Sequence, residues 1–136
     1  MDSMGDEPGE MESLPTVFLG VGRTAVAVSC GFSHTCVILD TGGLKCFGSA
    51  MEGQLGYDSM FNMGDNPGEM ASLPTVFLGV GRTAVSVSCG GSNTCVILDN
   101  AVLKCFGYNW YAVHCFSRPL ATHVPFRSAW PALLIL

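Results

Sequence analysis

Residues 4–48 are written a second time as residues 63–107, 59 positions further on, with eight substitutions among the 45 aligned positions. The differences include Phe32 against Gly91, His34 against Asn93, and Thr41-Gly42-Gly43 against Asn100-Ala101-Val102. A chain that repeats itself at a period of this length folds as stacked copies of one supersecondary unit, each covering the apolar face of its neighbour. The fold is therefore decided by the pattern inside one copy.

That pattern is β throughout. Each copy opens on an acidic turn, Gly5-Asp6-Glu7-Pro8-Gly9-Glu10 in the first, where Pro-Gly breaks the chain direction. Four runs of strand formers follow: Thr16–Leu19, Ala25–Cys30, Thr35–Leu39 and Leu44–Phe47. Gly31-Phe32-Ser33 and Asp40-Thr41-Gly42-Gly43 supply turns between them, the second a hairpin signal. The corresponding turn in the second copy, Asp99-Asn100-Ala101-Val102, has no glycine and is the weaker signal. No stretch shows capped 3.6-residue periodicity, so little helix is expected and a parallel α/β fold is disfavoured.

Composition narrows the function classes. With 49% apolar and 12% charged residues, the chain is not of the disordered type. A net charge of −5 gives no basic footprint for direct nucleic-acid binding and no polybasic segment for an anionic membrane. The N-terminus lacks the basic and apolar regions of a secretory leader, and Trp130–Leu136 is too short to span a bilayer. The expectation is a soluble protein, cytoplasmic or nuclear by default.

Six of the seven cysteines recur in register: Cys30, Cys36 and Cys46 as Cys89, Cys95 and Cys105, with Cys115 left over. Their spacing is not that of a zinc knuckle, and no metal is assigned. If the Asp40–Gly43 turn closes as a three-residue loop, Leu39 pairs with Gly43 and Cys36 faces Cys46. Cys95 and Cys105 stand at the same spacing. Both are candidate disulfides, which would place the protein in an oxidising compartment. The alternative is that these cysteines are small buried hydrophobes in a reducing one.

The passage Gly31-Phe32-Ser33-His34-Thr35-Cys36-Val37-Ile38-Leu39-Asp40, with Lys45-Cys46-Phe47-Gly48 and Gly53-Gln54-Leu55-Gly56, resembles the repeat of the regulator-of-chromosome-condensation family. Phe47 and Phe106 stand where Trp is common in that family, Asn93 replaces the turn histidine, and the second copy has no Gly-Gln-Leu-Gly. The resemblance implies an all-β fold: two tandem four-stranded antiparallel blades of an incomplete β-propeller, with an irregular C-terminal tail. The organisation expected is a first repeat over 1–48, an inter-repeat loop over 49–62, a second repeat over 63–107 and a divergent tail over 108–136. That tail shows no echo of a blade and reads as out-of-frame or intron-derived sequence, or as a cap on the open edge. Two repeats do not close a ring, so the chain reads as a fragment or truncated product whose open edges invite self-association.

The resemblance also implies that His34 is structural. With Asn93, Gly31 and Gly90, it is assigned to a turn in which the His or Asn side chain hydrogen-bonds the backbone. The function expected is a non-catalytic protein-interaction scaffold, with loop Ser49–Ser72 as the binding element and partners unknown. The alternatives are a guanine-nucleotide exchange factor for a small GTPase, as in some relatives, and a truncated product with no autonomous function.

Other motifs carry less. Gly20-x-Gly22-x-x-Ala25 looks like a dinucleotide fingerprint, but a strand-forming run follows it where that motif needs a helix. No cofactor is assigned. The acidic turns around Asp6 and Asp65 lack the alternating spacing of a calcium loop. Arg23, Lys45, Arg82 and Lys104 read as single surface charges. No nucleophile–base–orienter set recurs in both copies, so no catalytic residue is assigned and an enzyme is not expected.

Overall fold

The structure, a computed structural model, describes residues 4–109. Each copy forms a one-turn helix and a three-stranded antiparallel meander. In the first copy these are α1 (Glu10–Ser13), β1 (Ala25–Cys30), β2 (His34–Leu39) and β3 (Leu44–Gly48), with sheet order β1-β2-β3. The second copy contributes α2 (Glu69–Ser72), β4 (Ala84–Cys89), β5 (Asn93–Leu98) and β6 (Leu103–Gly107), in the order β4-β5-β6. The Pro-Gly turns start the short helices: Gly9 and Gly68 sit at positive φ immediately before Glu10 and Glu69.

The hairpin turns set the register. Leu39 N–H donates to Gly43 O at 2.9 Å, and Gly42 takes φ 76°. The loop thus has three residues, and Cys36 stands opposite Cys46. The second copy reaches the same register without glycine, because Ala101 adopts φ 63°.

The expectation of four strands per blade is corrected to three. Thr16–Leu19 forms no strand, and neither does its counterpart Thr75–Leu78. The preceding proline of each run, Pro15 or Pro74, brings no N–H to a ladder. In the second copy the run lies instead beside the first sheet, where Val76 N–H donates to Leu44 O at 2.7 Å. The repeats thus interlock: the opening segment of one copy edges the sheet of the copy before it.

The core lies between the two sheets. Ile38, Leu44, Cys36 and Cys46 of the first copy pack in one cluster with Val76, Leu78, Ala84, Val96 and Leu98 of the second. Leu55 and Ala50, from the connecting segment, complete it. This arrangement divides identical residues by their neighbours. Leu44 is fully buried while Leu103 is 61% exposed, and Val76 is 6% exposed while Val17 is 55% exposed. Burial belongs to the junction between copies, and the structure contains one junction.

Candidate protein-interaction surface

The turn residues assigned from the sequence meet at this junction. Gly31 N–H donates to His34 O at 2.8 Å, and Gly90 N–H makes the same bond to Asn93 O. A Cβ at Gly31 would collide with the His34 ring and with Gly90 O, so the first turn can nest against the second only because residue 31 is glycine; a Cβ at Gly90 would collide with the Asn93 side chain of its own turn. The His34 side chain does not bond backbone as expected. Its Nε2 lies 2.8 Å from Thr94 Oγ1 in the next copy. Thr94 in turn donates to Gln54 O at 2.9 Å, which leaves His34 Nε2–H as the donor in the first bond. Nδ1 is then an acceptor, buried and without a hydrogen-bond partner. Loss of hydration holds the imidazole pKa below its ordinary value, so the ring is neutral near pH 7.

The cysteines lie in the same layer. Cys36 and Cys46 are bonded at an S–S distance of 2.13 Å, and Cys95 and Cys105 at 2.11 Å. Cys30 and Cys89 are free thiols. His34, Cys36 and Cys89 place three donor atoms within 4.8 Å of one another, the one group of this kind among the described residues. With the Cys36 sulfur bonded to Cys46, the set retains one imidazole and one thiol, too few to hold a zinc ion. Cys115, His114 and His123 lie outside the described residues.

The segment that links the copies is pinned at its base and open at its tip. Gln54 and Leu55 of the Gly-Gln-Leu-Gly motif are buried in the junction. Tyr57 ties the segment on both sides: its hydroxyl accepts from Cys46 N–H at 3.1 Å and donates to Pro74 O at 3.0 Å. Burial raises the Tyr57 pKa, so the phenol keeps that donor proton. Beyond this anchor, Met51, Met60 and Phe61 are 69%, 72% and 82% exposed. With Asn62, Asp65, Asn66 and Glu69 they line an open recess of about 540 Å³. Thr94 and Tyr57, which build the anchor, were not singled out from the sequence. A threonine or tyrosine carries no spacing signal when its partners lie 11 to 60 residues away.

The acidic turns are organised from within. The Glu69 carboxylate accepts from Gly64 N–H at 2.8 Å and from Asn66 N–H at 3.2 Å, and Asn66 Nδ2 donates to it as well. The bonds from Asn66 lead in lowering its pKa. Glu10 holds the equivalent turn, accepting from Gly5, Asp6 and Glu7 N–H groups, with its pKa lowered by the Glu7 bond first. A ring of backbone donors around one carboxylate is an anion nest. Both glutamates are thereby committed to their own loops.

Of the four cations read as single surface charges, Arg23, Arg82 and Lys104 are exposed and Lys45 is not. Arg23 pairs with Asp40 at 3.3 Å and Arg82 with Asp99 at 3.4 Å. Lys104 Nζ donates to Leu78 O at 2.7 Å. Lys45 is buried at the junction, a consequence of the second copy closing over β3. No helix among the described residues is long and apolar enough to cross a membrane.

Comparison with known proteins gives a consistent picture. The family model of the Regulator of chromosome condensation (RCC1) repeat matches residues 25–54, from β1 to Gln54. A human protein described as probable E3 ubiquitin-protein ligase HERC3 is 35% identical over 71% of this chain and 8% of its own length. The E3 ubiquitin-protein ligase MYCBP2 of Danio rerio is 31% identical over 61% of this chain and 2% of its own length. This chain therefore spans a small part of both relatives. Among solved structures, human WBSCR16 superposes with a TM-score of 0.52 at 20% identity, over 66% of this chain and 22% of that one.

Proposed function

Since the chain is built from repeats of the regulator-of-chromosome-condensation family, we propose that it is a non-catalytic protein-interaction scaffold, a portion of a propeller that presents loop Ser49–Ser72 to a protein partner. The observation that carries this reading is the contrast within that loop. Gln54, Leu55 and Tyr57 fix its base in the junction, while Met51, Met60 and Phe61 stand exposed around a recess. Clustered large apolar side chains on a rigid base are what a protein interface uses at its centre. Asp65 lines the same recess and suits a partner with a basic rim. In this reading the paired cysteines and the His34–Thr94 bond are structural ties that keep the loop's platform rigid.

The test is affinity capture with the full chain, comparing the unchanged protein with Met60→Asp/Phe61→Asp and with Val80→Asp, an exposed residue away from the loop. The expected result is a partner that the loop variant loses and the Val80 variant keeps. A partner retained by the loop variant overturns the assignment of the loop. Relatives of this family include exchange factors, so accelerated nucleotide release from a small GTPase is measured alongside. Such release would replace the scaffold reading with that of an exchange factor.

A further inference from the structure

Inside the junction a free thiol faces a disulfide. Residues directly opposite each other in a sheet share a face, and neighbours along a strand alternate between faces. Ser29, Cys36 and Cys46 stand opposite one another across β1, β2 and β3. In the second sheet Cys89 stands opposite Thr94, and both turn back toward the first copy. Thr94 Oγ1 lies 3.8 Å from Cys36 Sγ and 4.0 Å from Cys89 Sγ. Cys89 is held there by Ser29: its N–H donates to Ser29 Oγ at 2.8 Å and its thiol to Ser29 O at 3.3 Å. The Cys89 sulfur is within 4.8 Å of Cys36 Sγ. Cys36 and Cys46 are fully buried, while Cys89 is half-buried. A thiol arriving from solvent therefore meets Cys89 before it meets the bond behind it. The second disulfide is placed differently. Cys95 stands opposite Ser88, so it lies on the other face of the sheet from Cys89.

We propose that this cluster is a thiol–disulfide exchange site, with Cys89 as the attacking thiol and a small thiol of the glutathione class as its substrate. The thiolate is the reactive form. Cys89 gives its proton to solvent, and its sulfur forms a bond to Cys36 Sγ as the Cys36–Cys46 bond breaks. Cys46 leaves with the electron pair and takes a proton from solvent, so this step is neither an oxidation nor a reduction. The new Cys36–Cys89 bond ties β2 to β4 across the junction. The small thiol, as its thiolate, then attacks Cys89 Sγ, the more open sulfur of that bond. Cys36 leaves with the electron pair and is protonated. A second small thiol displaces the first from Cys89, which returns to its free form. In sum, two small thiols are oxidised to one disulfide, and the Cys36–Cys46 bond is reduced to two thiols. The resting pairing is Cys36 with Cys46, and the external thiol draws the exchange forward. The proposal stands on the junction alone and is independent of what the loop at Met60 and Phe61 binds.

The experiment follows both disulfides of the folded full chain in reduced glutathione, with acid quenching, alkylation and peptide mass analysis at each time point. The variants are Cys89→Ser, which keeps a donor for Ser29 O, and Cys30→Ser, which removes the other free thiol. In Cys89→Ser the opening of Cys36–Cys46 is expected to slow by roughly tenfold or more, because a thiol held inside the site acts at a far higher effective concentration than one in solution. Cys95–Cys105 should open at the parental rate in that variant, and Cys30→Ser should change neither bond. Opening of Cys36–Cys46 in Cys89→Ser at the parental rate or faster overturns the proposal. So does an equal slowing of both disulfides, which would report a change in the whole fold. A third variant, Cys46→Ser, tests reach directly: oxidised glutathione should convert it to a form with Cys36 linked to Cys89. Absence of that linked peptide also overturns the proposal.

Discussion

Gly42 and Ala101 occupy the same place in the two hairpins, and the comparison isolates a backbone cost. Their φ values are 76° and 63°. An L-residue in this left-handed region carries about 1–2 kcal/mol of steric strain. Replacing Ala101 by glycine removes that strain and adds unfolded-chain freedom worth about 0.4–1 kcal/mol in the opposite direction. The net expectation for Ala101→Gly is a gain of about 0.5–1 kcal/mol. The reverse change, Gly42→Ala, introduces the strain and also a methyl group whose Cβ would lie 2.7 Å from Thr83 Cβ. Thr83 is held in place by the junction, so the loss is about 2 kcal/mol or more. Guanidinium unfolding of the full chain at low concentration reads both. Ala101→Gly should raise the midpoint with an unchanged slope, and Gly42→Ala should lower it by a larger amount. If Ala101→Gly lowers the midpoint, or if Gly42→Ala costs no more than the other gains, the assignment of left-handed strain to these turns is refuted.

Three further outcomes are expected. His34 is buried neutral with a lowered pKa, so the unfolded chain binds its proton first. The stability that His34 allows is complete above about pH 6.5 and is lost as the pH falls through the folded value. His34→Asn, the residue found in the second copy, should flatten this part of the pH–stability curve, and an unchanged acid slope would count against it. Thr94→Val removes the hydroxyl that joins His34 to Gln54 and should cost about 1–3 kcal/mol by denaturant unfolding, since the His34 donor is left buried and unpaired. Alkylation of the denatured, unreduced protein followed by peptide mass analysis should label Cys30 and Cys89 and leave Cys36, Cys46, Cys95 and Cys105 unmodified. Labelling of Cys36 or Cys46 before reduction would contradict the pairing.

What could be read from the residues alone was periodic and local. The 59-residue repeat, the β character of each copy and the three-residue hairpin that sets Cys36 opposite Cys46 all rest on interactions between near neighbours. Turn glycines and alternating apolar residues carry that information within a few positions. The sequence could not divide one copy from the other. Leu44 and Leu103 lie in the same local sequence, Leu-Lys-Cys-Phe-Gly, and differ only in whether another copy stacks on them. Nor could it assign the run at Thr75–Leu78 to the edge of the preceding sheet, or His34 to the hydroxyl of Thr94, because both partners come from a different repeat. Burial and long-range hydrogen bonds are properties of the stack, set by which surface meets which. For that reason only the tertiary structure decided where this protein is covered and where it remains open to a partner.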